Sequence, residues 1–224
     1  MARGGAGRRI LRGVLYLACL LGFPQPSPTA ETPSEALPHI TYSKDFPNSQ
    51  PAYFAIVVYE DGQGFYKSSP DDRNPLSFQF PADRTAEMFG LAGKLNRFKD
   101  GMLESNRKVA NTGKKTLIYQ NGEERYEVAF NHTEKPDAFA LVSMFEKISQ
   151  SQQHILRLKY LLRFDRLGVV KELLQLESDL DAGRLLATAE VAPLLEQIRN
   201  DRALVHVAQE RAVQILGKLQ TGKP

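Results

Sequence analysis

Arg107, Lys108, Lys114 and Lys115 form the candidate binding patch that stands out in the chain. Four cations fall within nine residues and no acid lies between them. They bracket the polar run Asn111-Thr112-Gly113. Charge alone lets such a loop attract an acidic protein, lipid headgroups or an anionic envelope polymer. The same lysines also have a plainer use, discouraging sheet-to-sheet association at a hairpin edge. Asn111 to Lys115 superficially resembles a phosphate loop. It lacks the spacing, and the strand-to-helix setting, in which backbone amides cradle phosphate. No aromatic residue interleaves the cluster, so nothing there stacks on nucleic-acid bases.

The other candidate groups are scattered. His39, His132, His154 and His206 show no pair at metal-ligand spacing, and the single cysteine, Cys19, excludes a zinc-thiolate centre and an intramolecular disulfide. No metal and no cofactor is implied. His154 closes the polar stretch Ser149 to His154. His206, inside Leu204-Val205-His206-Val207-Ala208-Gln209, reads as a satisfied interhelical histidine. Asp71-Asp72 falls in a surface loop. Glu177, Asp179 and Asp181 offer oxygen ligands without the calcium-loop pattern, and read as solvated charge at a helix end. The chain has no G-x-S-x-G elbow, and Ser105 lacks a neighbouring base pattern. Asn131-His132-Thr133 is an N-glycosylation triplet on an accessible loop.

The amino terminus carries a signal of a different kind. Arg3, Arg8, Arg9 and Arg12 precede the apolar run Val14 to Phe23, and a proline-rich exit follows before Glu31. A basic start, a short apolar core and a small-residue exit are the parts of a secretory signal peptide. The apolar run falls well short of the roughly 20 residues of a membrane span. An uncleaved anchor, or lipidation at Cys19, is the alternative. The 224-residue chain has 29 basic and 26 acidic residues, formal charge +3. Without the four signal arginines, 25 basic residues face 26 acidic ones, net −1. Nucleic-acid binding, which needs a persistent positive field, is thereby disfavoured.

Residues 31–39 read as a flexible lead-in. Tyr53 to Glu60 and Gln63 to Ser68 make a hairpin over Asp61-Gly62. Leu76, Phe78 and Phe80 alternate with polar residues, as in a half-buried strand. Asp83 is placed to cap a helix running to about Phe98, with Gly90 and Gly93 expected to pack closely on the sheet. Thr116 to Tyr119 and Tyr126 to Phe130 make a second hairpin over Asn121-Gly122. The expected fold is α+β: a small antiparallel sheet of about four to five strands in a hairpin-helix-hairpin arrangement over 40–135, then an antiparallel helical region over 136–220. The polar stretch Ser149 to His154 divides 137–180 into two or three helices. Two more helices follow, Ala192 to Arg199 and Ala203 to Leu219, and residues 221–224 should fray.

These readings point to an exported protein, periplasmic or extracellular, acting as a non-catalytic binding or structural module. A secreted hydrolase with a site assembled from distant residues is one alternative. An inhibitor or chaperone-like partner of another exported protein is the other. Membrane contact is expected only through the signal or a lipidated Cys19. A shallow apolar groove beside the C-terminal helices would favour partner binding.

Overall fold

Alternating apolar residues build a six-stranded sheet whose every pairing is antiparallel. A computed structural model describes residues 37–221. The proposed signal, Cys19 and residues 222–224 lie outside the described residues. The strands are β1 (His39–Asp45), β2 (Tyr53–Tyr59), β3 (Gln63–Lys67), β4 (Leu76–Gln79), β5 (Lys114–Asn121) and β6 (Glu124–Phe130), in the order β4-β3-β2-β1-β5-β6. The expected α+β class holds, but the sheet has one strand more than anticipated. The added strand is β1, and it is central. Ile40 pairs with Val58 on one side and with Tyr119 on the other. Its sequence, HITYSKD, carries only two large inward residues, Ile40 and Tyr42, too few to mark a strand by pattern alone. Without β1 the two hairpins have no common edge.

One face of the sheet is covered by α1 (Ala82–Lys94) and α2 (Pro136–Phe164). Ile40, Tyr42, Phe54, Ile56, Val58, Tyr66, Leu117, Tyr119 and Val128 point into this layer and meet Met88, Leu141, Phe145 and Ile148. Tyr42 stacks on Phe145 with ring centroids 5.2 Å apart. Each such aromatic or aliphatic side chain contributes about 1.5–3 kcal/mol by leaving water. Gly64 matters here for its missing side chain. A Cβ would sit 2.2 Å from the Phe78 ring, which lies over the glycine from the neighbouring strand.

Helix α1 departs from expectation in two ways. Pro81, not Asp83, occupies its N-cap, and no side chain caps it. Thr85 instead donates to the Pro81 carbonyl at 3.0 Å. Gly90 and Gly93 do not pack on the sheet: both are exposed, and an added Cβ would meet nothing within 4 Å. The helix ends at Lys94, before Asn96, Arg97 and Phe98, which take left-handed backbone angles (φ 51, 53 and 68). Three consecutive non-glycine residues in this region are costly. Burial of Phe98 in the sheet core offsets that cost.

The largest correction concerns α2. It runs unbroken for 29 residues, straight through Ser149 to His154. Ser149, Ser151, Gln152 and His154 are buried, so the polar stretch is an internal layer and not a break. The chain reverses only at 165–167. It enters α3 (Gly168–Asp181) at a glycine whose added Cβ would meet Leu161 at 2.7 Å and the Asp165 carboxylate at 2.8 Å. Helices α4 (Val191–Asn200) and α5 (His206–Thr221) complete the region. Asp201 makes their junction by accepting from the Ala203 amide at 2.9 Å. Ile155 and Leu158 of α2 pack with Val169, Leu173, Leu176, Leu195, Ile198, Ala212 and Ile215 in a second core. Thus α2 belongs to both cores, and the described residues fall within one compact unit. Thr221 is the last residue of α5.

Candidate functional site

Helix spacing brings the buried polar layer of α2 against a matching stripe on α3. Gln150 and His154 are one turn apart. Glu172, Gln175 and Asp179, at i, i+3 and i+7, share the facing side of α3. The Nδ1 of His154 lies 2.6 Å from Glu172 Oε1, and its Nε2 lies 2.9 Å from Asp179 Oδ2. Both ring nitrogens thus face carboxylate oxygens. Asp179 also accepts from Gln150 Nε2 at 2.9 Å and Gln175 Nε2 at 3.2 Å. Arg184, just past α3, adds Nε at 2.9 Å and Nη2 at 2.6 Å. Burial pushes the Asp179 carboxyl up. The hydrogen bonds from Arg184, Gln150 and His154, with the charge of His154, outweigh burial and hold it below the usual carboxylate range. Besides the His154 ring, each carboxylate has an arginine beside it, Arg184 at Asp179 and Arg157 3.8 Å from Glu172.

Chemically this is a latch more than a reaction centre. A general base needs a free lone pair within reach of substrate. His154 is 0% exposed and both its nitrogens are occupied. The latch continues into the segment after α3, where Ser151 Oγ accepts from the Leu186 amide at 3.2 Å and donates to the Lys147 carbonyl at 3.2 Å. A groove of about 690 Å³ opens beside it between α2 and α3, lined among others by Gln150, Arg157, Tyr160, Lys171 and Glu172.

Of the acidic trio on α3, Asp181 is the exposed charge expected at the helix end, whereas Asp179 is buried and Glu177 partly so. Its members divide by helical face. Asp179 faces α2, while Glu177 and Asp181, four residues apart, face α5. Glu177 pairs with Arg211 and with Lys218 at 2.8 Å, and Lys218 also reaches Asp181 at 2.8 Å. The Lys218 hydrogen bond, with that of Arg211, holds Glu177 below its usual range against the effect of burial. The histidine assignment is likewise exchanged. His206 stands exposed at the start of α5, 3.1 Å from Glu210, and His154 is the interhelical histidine. The signal for this was present: an i, i+4 polar pair on one helix facing an i, i+7 acidic pair on another. It was masked because polarity within a helix ordinarily marks solvent.

The basic loop is less free than its composition implied. Arg107 pairs with Glu134 at 2.9 Å. Lys115 is half-buried and donates to Thr112 Oγ1 at 2.8 Å and the Asn131 carbonyl at 2.7 Å. Burial, then the neighbouring Lys44, lowers the Lys115 ammonium from its usual range. Lys114, one residue earlier on the strand, points to the opposite face. There it lines a groove of about 450 Å³ with Asp45, Glu104 and Asn131 among the other walls. The four cations therefore do not converge, and acids distant in sequence come close to three of them. Lys108 and Lys114 form no ion pair among the described residues. The glycosylation triplet is engaged too. Asn131 Oδ1 accepts from the Thr112 amide at 2.7 Å, its Nδ2 donates to Ala110, and Thr133 is buried. Asp72 sits in its expected surface loop and accepts from Ser68 and Asn74 amides, which lower its carboxyl from the usual range.

A second groove of about 690 Å³ runs beside α4 and α5, lined mainly by apolar side chains that include Phe80, Leu185, Leu186, Ala192, Leu216 and Leu219. Among the described residues, no group of three or more His, Cys, Asp or Glu side chains is arranged to hold a metal ion, and no helix is long and apolar enough to cross a membrane. No protein-family model, no curated protein and no solved structure matches the chain.

Proposed function

We propose that the chain is an exported, non-catalytic binding or structural module of the periplasm, the envelope or the extracellular space. The observation that carries this reading is a contrast in where the reactive and the apolar groups lie. The most concentrated ionic cluster, around His154, centres on a fully buried ring with both nitrogens held by carboxylates, and only its edge reaches the α2–α3 groove. Apolar lining is left open in the groove beside α5. A partner-binding protein has such an arrangement, since apolar grooves recruit partners and internal ion clusters fix helix packing. The arginine-flanked apolar opening supplies the export part of the reading. Beyond it, the near-neutral charge and the lack of cysteine suit a fold that relies on its core alone. Of the basic-loop residues, Lys108 and Lys114 remain available to an acidic partner.

Fractionation of cells producing the full chain, and the chain without residues 1–30, tests the export step. The full chain is expected outside the cytosol as a shortened species, and the truncated one inside. Recovery of the intact full chain as a soluble cytosolic protein would overturn the proposal.

A further inference from the structure

Past Leu158 the buried face of α2 narrows, and a large apolar surface emerges where the helix meets α3. Tyr160 is 60% exposed, Phe164 63% and Leu167 80%, and Leu156 stands at the border. Positions 156, 160 and 164 are successive i, i+4 steps on one helical face, and Leu167 extends them into the turn. The Tyr160 and Phe164 rings meet with centroids 5.0 Å apart, and the Arg163 guanidinium lies 5.0 Å over Phe164. The exposed apolar side chains therefore adjoin one another, and Leu156 and Tyr160 also line the α2–α3 groove.

The charge of this surface is mainly positive. Arg157, Lys159, Arg163, Arg166 and Lys171 surround the apolar residues, against Asp165, the nearly buried Glu172, which lies 3.8 Å from Arg157, and Asp201, which lies 3.5 Å from Arg166. Lys159, Arg163 and Lys171 make no ion pair among the described residues. Such cations are not spent on holding the fold. An aromatic and leucine tip flanked by unpaired cations matches one environment in particular, the interface of an anionic bilayer. There rings and leucine enter the headgroup boundary, and lysine and arginine stems lie along the apolar region with their charges at the phosphates.

We infer that the α2–α3 tip, with Tyr160, Phe164 and Leu167 as the inserting residues and Lys159, Arg163 and Lys171 as the headgroup contacts, docks the protein on an anionic lipid surface. This gives the folded part a membrane contact separate from the amino-terminal segment. It rests on the binding-module reading in naming the partner, and is independent of export. A failed fractionation leaves it intact, and its own failure leaves the groove beside α5 as the binding surface.

The chain contains no tryptophan, so Leu167→Trp in the full chain places a single fluorescent reporter at the tip. This reporter answers for the tip even if the apolar amino terminus also binds lipid. Its emission is expected to shift to the blue with mixed phosphatidylcholine–phosphatidylglycerol vesicles and to stay unshifted with phosphatidylcholine alone. Added salt should reverse the shift. Adding Lys159→Gln and Lys171→Gln should raise the lipid concentration needed for half the shift roughly 25-fold, from about fivefold per cation. Both lysines are exposed, and an unchanged circular dichroism spectrum excludes unfolding as the cause. No shift with anionic vesicles, or an equal shift with neutral ones, overturns the inference. So does a shift that appears without lipid as protein concentration rises, because the tip would then join two copies of the chain.

Discussion

Asp179 is the residue on which most of the helical region's polar structure converges. It accepts from His154, Gln150, Gln175 and both arms of Arg184 while nearly excluded from water. Removing one member of such a cluster strands the rest as buried, unmatched charge. Asp179→Asn is expected to cost about 3 kcal/mol in urea unfolding. The triple replacement His154→Leu, Glu172→Leu, Asp179→Leu should cost less than the three single costs added together, because the desolvation of all three groups is relieved at once. Additive costs would mean that the three side chains act independently and that no latch exists. At this scale the sequence supplied the participants but paired none of them, since 18 and 25 residues separate His154 from Glu172 and Asp179.

Glycines give the sharpest contrast between elements. Gly90 lies in α1 with open space where a Cβ would go, so its only effect is on backbone freedom. Gly122 lies at the β5–β6 turn, also with open space, but at φ 57. The turn was foreseen from Asn121-Gly122. In the structure Asn121 is the last residue of β5, paired with Glu124, and the positive angle falls on Gly122 alone. Gly90→Ala is therefore expected to stabilise by about 0.5–1 kcal/mol, and Gly122→Ala to destabilise by about 1 kcal/mol. Thermal melts of the two variants check both signs. A destabilised Gly90→Ala would mean that α1 does pack closely at that position.

At the scale of the whole molecule, the 29-residue α2 ties the sheet layer to the helical layer. Acid tests that coupling. Asp179 and Glu177 both have carboxyls held below their usual range, which lies near 4. A depressed carboxyl contributes stability that is fully present above its unfolded pKa and is lost as pH falls through the folded one. Loss should begin below about pH 4 and originate on α3, whose Asp179 holds α2 and whose Glu177 holds α5. Because α2 is shared, the tyrosines of the sheet, Tyr42 and Tyr66, should lose their fixed environment together with the helical signal. Near- and far-ultraviolet circular dichroism at the same pH steps read the two. Separated transitions would show that the halves are independent domains.

The sequence by itself determined the fold class, the two hairpins, α1 and the helical region, because these are written in local periodicity and turn residues. It also set the near-neutral charge of the chain beyond the arginine-rich opening. Only the tertiary structure decided that β1 joins the hairpins, that Ser149 to His154 is interior, and which histidine is enclosed. The physical reason is the same in each case. A polar side chain reads as solvent-facing until its partner is known, and a short strand reads as loop until its neighbours pair with it. Both partners lie far along the chain, where local pattern carries no information.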